Sequence, residues 1–149
     1  MNDLMKKIIT LEQERNLTKD FDPKIRALKL ISAAGKLSRS IAMREDCRND
    51  VGNCIVNILI LSVINDYGIE EFLAASNLSN IDENHDSVSS YMYELWGALG
   101  LLSTAITEGN DYRSTLDDMV IILSGIARFS SYSLEECADI AYNNSQGLS

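Results

Sequence analysis

Four side chains suited to holding an anion fall on one strip of a single helix. At 100° per residue, Lys29, Ser32, Lys36 and Arg39 lie within about 80° of arc. Lysine and arginine so placed are charge-assisted donors to phosphate oxygens. Further along, Asp50, Asn53 and Asn57 recur at i, i+3 and i+7, the spacing of a second polar stripe on a second helix. An asparagine amide there can read a base or ribose edge, so the two stripes together suit a nucleotide. The same residues have a plainer use, with Lys36 and Asp50 as a buried ion pair and Lys29 and Arg39 simply solvated. Trp96, the single tryptophan, is either a stacking platform for a base or a core or interface aromatic.

The elements that must position these groups come twice. Leu30 to Ile41 lines up with Leu95 to Ile106 at an offset of 65 residues, as from Ala33 to Ala98. The offset persists without a gap to Tyr67/Tyr132, Glu70/Glu135 and Glu71/Glu136, so the repeated unit is a helix pair with its connection. Asp22 before Pro23, the only proline, reads as an N-cap followed by a residue pre-set for the first turn. A helix is expected from there to about Met43, a second from about Asn49 to Asn65 ended by Asp66-Tyr67-Gly68, and a short one over Ile69 to Ser76. Asn77 to Asp86 reads as the linker. In the second copy, a helix is expected from Ser87 to about Thr107, broken by Gly109-Asn110-Asp111. Ser114 with Asp117, and Ser133 with Glu136, read as capping pairs for the next two. Met1 to Asn16 is expected as a short leading helix and Asn143 to Ser149 as a frayed tail.

At 149 residues and 46% hydrophobic the chain suffices for one well-buried core. A single domain is expected over 1–149, with repeat one at about 10–76, the linker at 77–86 and repeat two at about 87–143. A net charge of −9 argues against nucleic acid or an anionic membrane as the main partner. Cys47, Cys54 and Cys137 have no ligand spacing and read as reduced, packed thiols. The first residues lack the apolar stretch of a signal peptide, and the strongest apolar run, Cys54 to Ile64, is too short to span a bilayer, so a cytoplasmic protein is expected. One histidine, His85, excludes imidazole clusters and a Ser-His-Asp triad. No glycine-rich phosphate loop is present. The acid pairs Glu70-Glu71 and Glu135-Glu136 fit helix N-termini.

The first repeat resembles the MazG-like family of all-α NTP pyrophosphohydrolases. In that family one helix carries Leu-x-Glu-Glu-x-Gly-Glu-Leu and the next Glu-Glu-x-Gly-Asp before an apolar run, and the acids hold Mg²⁺ that activates water and neutralises the triphosphate. Leu30-Ile31-Ser32-Ala33-Ala34-Gly35-Lys36-Leu37 fits the first pattern in frame, and Asn49-Asp50-Val51-Gly52-Asn53 the second. The acids differ. Ser32, Ala33 and Lys36 stand where the family has glutamates, Asp50 survives, and Asn53 replaces the metal-binding aspartate. In the second repeat the equivalents are Gly97, Ala98, Leu101, Thr115 and Asp118.

The resemblance implies an all-α fold, a four-helix core built from two tandem MazG-like repeats. It also implies a catalytically degenerate protein, with neither a metal nor another resident cofactor, that binds or sequesters a phosphorylated nucleotide or nucleotide second messenger. The nucleotide-binding set is Lys29, Ser32, Lys36, Arg39, Asp50, Asn53, Asn57 and Trp96. The matching stripe of the second repeat, Gly97, Leu101, Thr104, Thr115, Asp118 and Ile122, is expected to pack, as the structural half of a pseudo-dimer. A homodimer is left open, and a phage or mobile element is a fitting context. Two rivals remain: a pyrophosphohydrolase with a relocated Mg²⁺ site using Asp46, Asp50, Glu94 or Asp118, and a protein-interaction module.

Overall fold

The helix boundaries follow from short-range chemistry that is nearly the same in both halves. In the computed structural model, which describes residue 10 and residues 22–64 and 86–147, the Asp22 carboxylate accepts a hydrogen bond from the Lys24 N–H, and Pro23 opens α1, Pro23–Ala42. Helix α2 is Arg48–Ile64, α3 is Val88–Glu108 capped by Ser87, α4 is Arg113–Arg128 and α5 is Leu134–Gly147. The starts of α1 and α3, and of α2 and α4, are each 65 residues apart. No strand occurs among the described residues, and the fold is all-α. No described helix is long and apolar enough to cross a membrane.

The stops and restarts repeat as well. After α1, the Glu45 N–H donates to the Ser40 carbonyl at 2.8 Å, and after α3 the equivalent Asn110 N–H donates to the Ala105 carbonyl at 2.8 Å. Both closures need a left-handed residue one position earlier. Gly109 supplies it at φ 72°, and its counterpart Arg44 takes φ 57° despite its side chain. Asp46 then accepts from the Arg48 N–H and grips the Arg48 guanidinium, and Asp111 does the same for Arg113. The Ser114/Asp117 capping pair is not formed. Tyr112 occupies the cap of α4 without a side-chain bond, because Asp111, one residue before it, already serves the first turn. The Ser133/Glu136 pair is formed as a reciprocal box.

Helix α1 packs against α2 and α3, and α4 packs against α3 and α2. The core is built from equivalent residues: Leu30 and Leu95, Leu37 and Leu102, Val51 and Leu116, Ile58 and Leu123, all buried. The core is not confined to these four helices. Helix α5 lies along α2 and adds Leu134, Cys137 and Ala138. Its approach is close because Gly52 faces it, where a Cβ would overlap the Cys137 carbonyl oxygen and the Ala141 methyl. Residues 143–147, expected as a frayed tail, continue α5 to Gly147. All of the expected leading helix but Thr10, the Asp66-Tyr67-Gly68 stop, the Ile69–Ser76 helix and nearly all of the linker lie outside the described residues.

Two stability changes follow. Arg44→Gly should raise stability by about 0.5–1 kcal/mol by relieving the left-handed strain, whereas Gly109→Ala should lower it by about 1 kcal/mol. Gly52→Ala should cost about 2 kcal/mol or more, since the obstacle is backbone of α5. Urea denaturation checks all three; an unchanged midpoint for Gly52→Ala would contradict the described seating of α5.

Candidate functional site

The seam between α1 and α2 is held by polar contacts at two levels. Near the start of α1, Arg26 Nη1 donates to Asn57 Oδ1 at 3.2 Å, and Asn57 Nδ2 donates to the Asn53 carbonyl at 2.8 Å. Near its end, Ser40 Oγ donates to Asp50 Oδ2 at 2.6 Å. Asp50, Asn53 and Asn57 are half-buried on α2, as befits residues facing this seam.

Lys29, Ser32, Lys36 and Arg39 are all exposed on α1. The buried Lys36–Asp50 ion pair is not formed: Lys36 stays in solvent and Asp50 is engaged by Ser40. Among the described residues, none of Lys29, Lys36 and Arg39 reaches a carboxylate at ion-pair distance. The outcome is a cationic strip beside a hydrogen-bonded polar seam.

Trp96 does not join this group. It is 41% exposed on α3, and its indole N–H donates to Ser38 Oγ at 2.9 Å. Ser38 is two residues beyond Lys36 and one before Arg39, which turns it about 160° around α1 from the first and about 100° from the second. The indole therefore bridges α3 to the opposite flank of α1. The residue that the sequence did not single out is Arg26, buried on α1 and bonded to Asn57. Its position between Ile25 and Ala27 fits either flank of the helix, and a long aliphatic stem lets arginine occupy an apolar position while its head finds a partner.

The second repeat holds an opening of its own. A groove of about 420 Å³ between α3 and α4 is lined by Glu94, Gly97, Ala98, Leu101, Asp118, Ile121 and Ile122. Shifted by the repeat, these are the positions of Lys29, Ser32, Ala33, Lys36, Asn53, Val56 and Asn57. This stripe does not pack as expected. Gly97, Leu101, Thr104 and Asp118 are exposed and Thr115 is half-buried, while Ile122 is buried. Gly97 leaves the wall bare, with nothing within 4 Å of where its Cβ would stand. Equivalent faces of the two repeats thus carry opposite charge.

The acids of a relocated metal site are divided. Asp46 is clamped by Arg48, Asp50 bonds Ser40, and Glu94 and Asp118 belong to the groove; among the described residues no three of the His, Cys, Asp and Glu side chains gather as a metal-holding group. All three cysteines are free and buried. Burial pushes the thiols of Cys54 and Cys137 up to about 12, so neither is a nucleophile near neutral pH. Arg48 also stacks over the Tyr132 ring at 4.2 Å, tying the start of α2 to the α4–α5 connection. No protein-family model, curated protein or solved structure matches this chain.

Arg48 holds the Asp46 carboxyl below its ordinary range, chiefly through the side-chain hydrogen bonds and then through the backbone one. A depressed native value means that the stabilising contribution is complete above the usual carboxylate range and is lost as pH falls through it. Both side chains are partly solvent-exposed, so the effect is small. Chemical denaturation across a pH series should show a shallower acid decline for Asp46→Asn than for the parent; superimposable curves would contradict the clamp.

Proposed function

We propose that the protein binds a phosphorylated nucleotide, or a nucleotide second messenger, on the α1–α2 face and does not hydrolyse it. The observation that carries this reading is the cationic strip. In a chain of net charge −9, Lys29, Lys36 and Arg39 share one exposed face of α1, and no described carboxylate neutralises them. Cations that no described carboxylate pairs attract an anion on an acidic protein, and three of them along one helix can follow a chain of phosphates. Ser32, between Lys29 and Lys36, adds a neutral donor.

The roles of the α2 residues divide by their contacts. Asn57 is committed on both sides of its amide, to Arg26 and to the Asn53 carbonyl, and therefore positions the seam. The Asn53 amide is the group suited to a base or ribose edge. Asp50, already accepting from Ser40, repels phosphate and suits a ribose hydroxyl, which places the phosphates toward the lysines.

The resemblance to MazG-like proteins supports a nucleotide over other phosphate esters. The replacement of its acids by Ser32, Ala33 and Lys36 supports binding without Mg²⁺-dependent hydrolysis, because a lysine where a metal ligand stood supplies the positive charge itself. Sequestering or sensing of this kind belongs in the cytoplasm and would serve a phage or mobile element that must counter a nucleotide signal.

Isothermal titration with nucleoside triphosphates and cyclic or pyrophosphorylated nucleotides should find at least one ligand. Lys29→Ala and Lys36→Ala should each weaken it about tenfold, or ~1.4 kcal/mol. Absence of binding across the panel would overturn the proposal. So would Mg²⁺-dependent release of pyrophosphate that Asp50→Ala abolishes, which would instead favour an enzyme.

A further inference from the structure

The α3–α4 groove and the α1 strip are complementary to each other, though they belong to the same chain. The strip is amphipathic: Ile25 and Leu28 are 53% and 61% exposed, and they alternate with Lys29, Ser32 and Lys36 over an arc of about 100°. The groove presents the inverse: Glu94 from α3 and Asp118 from α4 flank a floor of Ala98 and Ile122, with Leu101 66% and Ile121 39% exposed at the rims. We infer that the groove receives the α1 strip of a second copy of this chain, with Leu28 against Leu101 and Ile121 and the two lysines facing Glu94 and Asp118.

Three features favour that occupant. The first is charge, since the groove is acidic and the strip basic at equivalent repeat positions. The second is the exposed apolar surface of the lining: Leu101 and Ile121 are both open to water, and a helix laid along the groove covers both together with its own Leu28. The third is the bare wall at Gly97, which lets a helix approach closely. Lys29 and Lys36 lie about 10 Å apart along α1, enough for one to meet each carboxylate.

The contact is heterologous, because it joins the repeat-one face of one copy to the repeat-two face of the next. Each copy in a pair retains an unused strip or groove, so growth continues past the dimer unless a ring closes. The α1 strip cannot hold the phosphates of a nucleotide and lie in a groove at the same time, so a bound nucleotide competes with the assembly, while variants of the groove alone leave the proposed nucleotide residues intact.

Sedimentation velocity over a range of protein concentration tests it. The parent should gain mass with concentration at low salt and lose it as salt rises, by screening of the charge pairs. Glu94→Lys with Asp118→Lys should hold the protein monomeric, as should Lys29→Glu with Lys36→Glu. Combining all four in one chain should restore association, and so should an equimolar mixture of the two double variants, each checked for parental helical content by circular dichroism. A parent that stays monomeric throughout, association indifferent to the groove variant, or failure of both restorations would overturn the inference.

Discussion

The fold depends on one short connection made twice. Between the long helix and the next, a left-handed residue closes the first helix, and an aspartate two residues later opens the second while holding the arginine that begins it. Arg44, Asp46 and Arg48 do this in the first half, and Gly109, Asp111 and Arg113 in the second. The geometry sets the register of the antiparallel pair. Ser40 is brought to Asp50 and Arg26 to Asn57, while the same register in the second half brings Glu94 and Asp118 to one groove. A change of one residue in this connection would move every seam residue on α2 relative to α1.

Given a common scaffold, the halves differ at the positions that do not pack. The buried frame is shared, as Leu30/Leu95 and Leu37/Leu102 show, whereas the exposed frame is inverted, with Lys29 opposite in charge to Glu94 and neutral Asn53 replaced by Asp118. Packing tolerates such divergence because a solvated charge contributes little to stability. One half consequently presents cations to solvent and the other an acid-flanked apolar groove. The fifth helix adds a further asymmetry, since Gly52 admits α5 against α2 while its counterpart in α4 is Asp117.

The long helices were legible because they combine apolar periodicity with punctuation that acts locally: Asp22-Pro23, Ser87, Gly109, Ser133 with Glu136. Punctuation that depends on tertiary contacts is not legible in the same way. Ser114 and Asp117 have capping spacing, but Asp111 had already taken the first turn of α4, and nothing in a string of residues says which of two carboxylates arrives first. The polar tail past Asn143 looked unable to hold a helix, yet α5 gains its hold from Leu134, Cys137 and Ala138 packed in the core. For the site, helical phase placed Lys29, Ser32, Lys36 and Arg39 on one face from spacing alone. Burial was not readable in the same way: Lys36 was free to turn inward to Asp50 or outward, Arg26 could stand on either flank, and Trp96 depended on how α3 crosses α1. The groove at Leu101 was missed because an apolar residue at helical spacing is ordinarily buried.

Equivalent faces of the two repeats differ in chemistry, and under the proposed function only the first would meet phosphate. Backbone amide spectra of ¹⁵N-labelled protein, titrated at low protein concentration with whichever nucleotide the calorimetric panel identifies, distinguish the two faces. Shifts should run along 29–39 and 50–57, with the equivalent stretches 94–104 and 115–122 unmoved. Shifts centred on the Glu94 and Asp118 groove, or none on α1, would contradict the proposed function.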